Sequence, residues 1–165
     1  MAKKIEIMYQ RVSDAKRFYE ILNNPNFKYF GVKPSSAEEE KEYLRTNSKN
    51  RKNNFSHNYT IIYNSKVVGG CGIKINQHRK HIGEIGYFID EKYWGKGIAT
   101  KVVKLLEKEG FKKLGLKRIE IIMDKRNIAS KKVAIKNNYK KEGILRKYIE
   151  NNNKLNDSYL YAKVI

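Results

Sequence analysis

Near the middle of the chain, Tyr93-Trp94-Gly95-Lys96-Gly97-Ile98-Ala99-Thr100 joins two glycines, a lysine and the start of a helical pattern. Glycines let a backbone approach an anion closely, successive N–H groups form a concave anion site, and a helix start adds partial positive charge. Together these could hold a pyrophosphate, with Lys96 adding a full charge. G-x-G-x-x-G is absent, since Thr100 follows Ala99, and so is G-x-x-x-x-G-K-[ST]. The plainer alternative is a glycine-softened turn. Glu84 is a carboxylate in an otherwise apolar stretch, where an unpaired charge is costly; it is either paired with a lysine, capping a strand, or doing chemistry. Asn127 and Ser130 open a later helical segment, a position that by itself suits capping. The single cysteine, Cys71, lies in an apolar run and reads as a buried structural thiol rather than a nucleophile. His78 and His81 bracket Arg79 and Lys80 without Cys, Asp or Glu companions, so no metal site is expected.

These residues need a scaffold, and the hydrophobic periods supply one. Ile5, Ile7 and Tyr9 alternate with polar neighbours as in a half-buried strand. Ser13 begins a helix with Val12, Ala15, Phe18, Tyr19 and Leu22 on one face, ended by Asn23, Asn24 and Pro25. A second helix follows Pro34, where Ser36 and Glu39 have capping-box spacing and Tyr43 and Leu44 form the apolar side. Its Glu38, Glu39, Glu40 and Glu42 make either an acidic pocket or a solvated first turn favoured by the helix dipole. Strands Tyr59 to Tyr63 and Lys66 to Ile73 flank a tight Asn64-Ser65 turn, and a third strand runs from Ile82 to Ile89.

From Gly97 to Leu114, Ile98, Val102, Leu105 and Leu106 oppose Lys101, Lys104, Lys108 and Lys112, the pattern of an amphipathic helix packed on a sheet. Arg118 to Met123 is a strand, and Asn127 to Asn138 a helix with Ala129, Val133 and Asn137 on one stripe. Strands Lys140 to Ile149 and Asp157 to Val164 meet through an Asn-rich turn. Tyr148, Tyr159 and Tyr161 on these strands either border a substrate or form cross-strand pairs. The polar tracts Thr46 to Asn54 and Glu150 to Lys154 read as loops. Strand, glycine turn, helix, strand is a crossover unit, which requires a parallel pair. The fold class is α/β (α+β): one domain over residues 1–165, with a mixed, mostly antiparallel sheet of about six or seven strands, about four flanking helices and a central β-α-β crossover.

Composition limits the partners. With 40% hydrophobic residues and 2 prolines, the 165-residue chain has material for one core and lacks the profile of a disordered chain. No apolar run approaches a bilayer span, and the opening Met1 to Glu6 lacks a signal-peptide core, so a cytoplasmic protein without membrane contact is expected. There are 36 Lys and Arg against 17 Asp and Glu, a net +19. That field favours polyanions such as nucleic acid or the ribosome. The excess is spread along the chain, so it is also compatible with the compositional bias of an AT-rich genome. A basic helix, a zinc-ligand pattern and interleaved aromatics are all lacking.

The runs GEIGYFIDEKYWGKGIATKVV (Gly83 to Val103) and DKRNIASKKVAIKNNYKKEG (Asp124 to Gly143) resemble the GNAT superfamily of N-acetyltransferases. SDAKRFYEILNNPNFKYF (Ser13 to Phe30) and VVGGCGI (Val67 to Ile73) extend the resemblance over essentially the whole chain, which is most similar to the RimJ/RimL-like branch of ribosomal-protein N-terminal acetyltransferases. The family's Q/R-x-x-G-x-G/A pattern falls on Trp94, Gly97 and Ala99, with Trp94 replacing the usual Gln or Arg.

The resemblance implies acetyl-CoA as cofactor, with no metal, and a pyrophosphate cradle formed by Trp94, Gly95, Lys96, Gly97, Ile98, Ala99 and Thr100. Tyr87, Phe88 and Ile89 would lie along the cofactor, with an oxyanion donor at the Tyr87 or Phe88 N–H, and Asn127 would bond the pantetheine arm. It makes Glu84 the candidate general base. The position of the family's tyrosine acid is Ala134, which moves that role to Ser130, as a hydrogen-bond donor to the thiolate or as no more than a cap. The implied activity is direct acetyl transfer to a primary amine, first a protein N-terminal α-amine, that of a ribosomal protein included. A polyamine or other small amine, and a non-catalytic module that binds CoA or RNA, are the alternatives. A monomer and a homodimer are both compatible.

Overall fold

In the computed structural model, which describes residues 4–31 and 33–165, seven strands form one sheet in the order β1-β2-β3-β4-β5-β7-β6. Met1, Ala2 and Lys3 of the opening segment lie outside the described residues. The strands are β1 (Ile5–Tyr9), β2 (Ser56–Tyr63), β3 (Lys66–Ile75), β4 (Ile82–Ile89), β5 (Arg118–Asp124), β6 (Lys140–Asn151) and β7 (Lys154–Val164). Only β4 and β5 run parallel; the other neighbours are antiparallel. Two hairpin turns use the left-handed backbone that Asn tolerates, Asn64-Ser65 at φ 48° and 65° and Asn152-Asn153 at φ 52° and 57°. The second turn is thus two residues long, and Glu150, Asn151 and Lys154 belong to strands rather than to a loop.

The helices are α1 (Ala15–Leu22), α2 (Ala37–Arg45), α3 (Asn47–Lys52), α4 (Ile98–Glu107) and α5 (Ile128–Lys136); a π-helical turn, Lys108–Lys113, extends α4. Four were expected from the sequence, and the fifth, α3, occupies the polar tract read as a loop. It has no apolar stripe. It is held by hydrogen bonds instead: Asn47 is buried, donates to Gln10 Oε1 at 2.8 Å and accepts from Asn58 Nδ2 at 2.9 Å. Lys49, Arg51 and Lys52 sit in its last turn, where the dipole favours cations.

Two helical layers cover the sheet. On one face Ile98, Val102, Val103 and Leu106 of α4 pack on Ile61, Val68, Ile73, Ile85 and Ile119. On the other, Ala15 and Phe18 of α1 and Leu44 of α2 pack near Val67 and Phe88. Three details depart from the sequence reading. In α1 the buried set includes Ile21, while Val12 lies in a preceding 3-10 turn and is exposed. Tyr43 of α2 is also exposed. In α5 the buried stripe is Ala134 with Asn137, and Ala129 faces solvent. The capping box of α2 forms by half: Ser36 Oγ accepts from the Glu39 N–H at 3.1 Å, but the Glu39 carboxylate accepts from Ser35, one residue earlier.

Candidate active site

The parallel pairing of β4 and β5 is brief, from Ile82 with Arg118 to Glu84 with Glu120. Past it, β5 stays paired with β7 and β4 with β3, so a gap opens between the carboxyl ends of the two parallel strands. Each of these strands is followed by a helix start, the position where α/β sheets collect ligands.

After β4 comes the glycine turn. Gly95 and Gly97 have φ +72° and +74°, and a Cβ at either would meet nothing within 4 Å. The turn is therefore built for glycine by its backbone and not by crowding. The N–H groups of Gly95, Lys96 and Gly97 make no hydrogen bond to another described residue, and Ile98, Ala99 and Thr100 carry the orphan N–H groups of a helix start. This is a concave row of donors. Trp94 fixes it to the sheet: its indole N–H donates to the Ile89 carbonyl at 2.6 Å, and its ring lies edge-on to Phe27. Lys96 behaves differently from expectation. Its ammonium donates to the Lys92 carbonyl at 3.1 Å and lies over the Tyr93 ring.

After β5 comes α5, and its cap is Asn127, whose Oδ1 accepts from the Ser130 N–H at 3.1 Å. Ser130 is not the cap. Its Oγ accepts instead from the Tyr87 hydroxyl at 3.4 Å, a contact that reaches from β4 to α5 across the gap. Burial raises the Tyr87 phenol above its ordinary pKa, with the Ser130 bond opposing. Ala134, which stands at the position of the family's tyrosine, is fully buried.

The other face of β4 borders a cavity of about 500 Å³ under α1 and α2. Glu84, Gly86 and Phe88 line it from β4, Leu22 and Phe30 from the α1 side, and Glu39, Glu40 and Tyr43 from α2. Gly86 leaves its floor open, since a Cβ there would meet nothing within 4 Å. Burial raises the Glu84 carboxyl above its ordinary range; Lys74, its cross-strand neighbour, pulls it down and Glu120 pushes it up. No direct ion pair to a described residue ties Glu84, and Lys74 acts on it from across the strand pair through charge alone. Tyr148 of β6 belongs to the same neighbourhood: burial, then the charges of Glu84 and Glu120, raise its phenol. Phe88 stacks edge-on with Phe18 and Phe30 and forms cavity wall, while Ile89 is core. Cys71 is buried, and burial pushes its thiol up, as a structural thiol requires.

Residues 7–140 match the acetyltransferase (GNAT) domain family. The chain belongs to the GNAT family. An uncharacterised N-acetyltransferase, p20 of Bacillus licheniformis, is 35% identical over 97 residues, 59% of this chain and 54% of that protein. At that level of identity the match spans about half the length of the curated relatives. The ribosomal-protein-serine acetyltransferase of Escherichia coli K12 is 24% identical over 98% of this chain and 87% of its own. Among solved structures, a RimL ribosomal α-N-protein acetyltransferase in complex with coenzyme A superimposes with a TM-score of 0.90 at 20% identity, covering 100% of this chain and 96% of that one. The last likeness is one of fold.

In this GNAT chain, the fold therefore gathers the residues singled out in the sequence into two places joined through β4. Trp94 to Thr100, Asn127 and Ser130 stand at the ends of the splayed strands, and Glu84 stands in the cavity behind them. The Tyr87 hydroxyl has no role in the sequence reading, and Glu40 enters it only as one of four glutamates in a candidate acidic pocket. Tyr87 enters there through its backbone, since a contact between residues 43 positions apart leaves no local pattern. Glu40 has no local mark that separates it from Glu38, Glu39 and Glu42.

Proposed function

We propose that this protein is an acetyl-CoA-dependent N-acetyltransferase, a single domain over residues 1–165 that acetylates protein N-terminal α-amines in the cytoplasm. The observation that carries the proposal is the unengaged row of N–H groups from Gly95 to Thr100, beside open space at both glycines. Such a row fits a pyrophosphate with main-chain donors alone, so neither Trp94 nor the engaged Lys96 weakens the fit. The RimL and E. coli relatives act on ribosomal proteins, and this supports a protein acceptor, with the net +19 charge favouring approach to a ribosome.

When bound, acetyl-CoA supplies a thioester carbonyl for a neutral amine to attack and a thiolate as leaving group. The protein must then remove a proton from the amine, stabilise the oxyanion and hydrogen-bond the departing sulfur. Glu84 takes the amine proton, its raised pKa bringing it nearer to neutral pH. A β4 backbone N–H, that of Tyr87 or Phe88, would be the donor to the thioester oxygen. Ser130, with Tyr87 donating to it, offers its hydroxyl hydrogen to the sulfur, and Asn127 keeps its side-chain N–H₂ for the pantetheine arm. In this reading the missing tyrosine at Ala134 is answered by a hydroxyl pair, Ser130 of α5 and Tyr87 of β4. Titration of purified protein with acetyl-CoA in a calorimeter, followed by mass analysis of a peptide panel, tests the proposal. Micromolar binding with a gain of one acetyl group on a free N-terminus supports it, and absence of binding overturns it.

A further inference from the structure

Glu40 is a carboxylate that the fold leaves without a partner. The residue is 7% exposed, it lines the cavity, and its carboxylate makes no hydrogen bond or ion pair to any described residue. The neighbouring glutamates of α2 are all engaged: Glu38 with Lys41, Glu42 with Arg45, and Glu39 with Ser35. Burying a carboxylate with nothing to compensate it is costly. The cost points to a cation from outside the chain. Leu22, Phe30, Tyr43 and Phe88 give the same cavity a largely apolar wall, and Glu84 stands on its sheet side.

We propose that Glu40 is the acceptor-binding residue of the cavity, receiving the ammonium of a primary amine with an apolar neighbour, as in a peptide whose first side chain is apolar. This rests on the N-acetyltransferase reading and specifies its substrate. The ammonium pairs with the Glu40 carboxylate on the cavity wall, while the first side chain lies against Phe30 and Phe88. A second carboxylate on the first residue would meet Glu39, Glu40 and Glu84 together and is repelled, with Lys74 the opposing cation among the lining residues. The two carboxylates divide the work: Glu40 holds the ammonium as it enters, and Glu84 takes its proton.

The decisive experiment separates binding from turnover. Leucinamide, a monoamine with an apolar neighbour, is titrated by calorimetry into wild type and Glu40→Gln, with N-acetyl-leucinamide as a control lacking the charge. Tetrapeptides opening with Leu, Phe or Glu are then assayed at saturating acetyl-CoA. The expected results are leucinamide affinity weakened about tenfold or more in Glu40→Gln, no binding of the acetylated control, and peptide KM raised about tenfold with kcat held within about threefold. The acetyl-CoA affinity is unchanged, and Leu and Phe peptides exceed the Glu peptide by about tenfold in kcat/KM. Equal leucinamide affinity in the two proteins overturns the role of Glu40, whatever the turnover; so does a fall in kcat and acetyl-CoA affinity together, which is the sign of a structural defect. Glu40-dependent leucinamide binding without transfer to any peptide upholds Glu40 and overturns the transferase reading instead.

Discussion

The Tyr87 hydroxyl donates to Ser130 Oγ at 3.4 Å, so the hydroxyl at the start of α5 is tied to a strand rather than to its own helix. Groups that act as one unit are non-additive when removed. Tyr87→Phe and Ser130→Ala should each lower kcat by roughly 10- to 100-fold. The double variant should be little worse than Ser130→Ala alone. A double-mutant cycle on kcat checks this; multiplicative losses would mean the two hydroxyls act independently.

Gly97 combines left-handed φ with open surroundings. A side chain there strains the backbone by roughly 1 kcal/mol but displaces nothing in the protein. Gly97→Glu also sets a carboxylate beside the N–H row. Its acetyl-CoA affinity should fall more than about 100-fold while the circular dichroism spectrum is retained, and Gly97→Ala should lose much less. Equal losses in the two variants would assign the effect to strain and not to an anion site.

Glu84 is raised by burial, so it becomes a competent base only above the ordinary carboxylate range. The kcat/KM of the wild type should climb with pH along an acidic limb displaced upward from that range. In Glu84→Gln the limb should vanish and kcat fall by roughly 100-fold. A persisting limb in the variant would move the base elsewhere.

For stability the sign at Glu40 is the reverse of a salt-bridged acid. Burial, with help from Glu39, raises its carboxyl from 4.5 to about 7. The folded state binds this proton more tightly than the unfolded state does, so stability is full below pH 4.5 and declines as pH rises through 7. Glu40→Gln should therefore equal wild type in acid and exceed it at neutral to alkaline pH by roughly 1–3 kcal/mol. Urea unfolding at a series of pH values measures it. A variant less stable than wild type in alkali would show that the carboxylate has a stabilising partner.

Much of this architecture is legible in the chain because local rules act alone. Ile82 to Ile89 reads as a strand and is one; Asn64-Ser65 reads as a turn and adopts the backbone that Asn favours. The glycine turn is visible for the same reason, since its φ values demand the residue. What stays hidden depends on partners distant in sequence. Helix α3 carries no hydrophobic period, and only Gln10 and Asn58 explain why Asn47 is buried. Glu40 is indistinguishable from Glu38 until the cavity closes over one of them. The Lys96 ammonium, read as an anion ligand, had a nearer carbonyl and an aromatic ring to choose.

Trp94, which clamps the Ile89 carbonyl and stands half-exposed at the head of the glycine turn, is also the sole tryptophan of the chain. Its indole emission consequently reports on one place. A ligand settling on the turn changes the polarity around that ring, and no second indole dilutes the signal. The protein thus carries a built-in optical probe at the doorway of the proposed anion site, readable in unlabelled wild-type material.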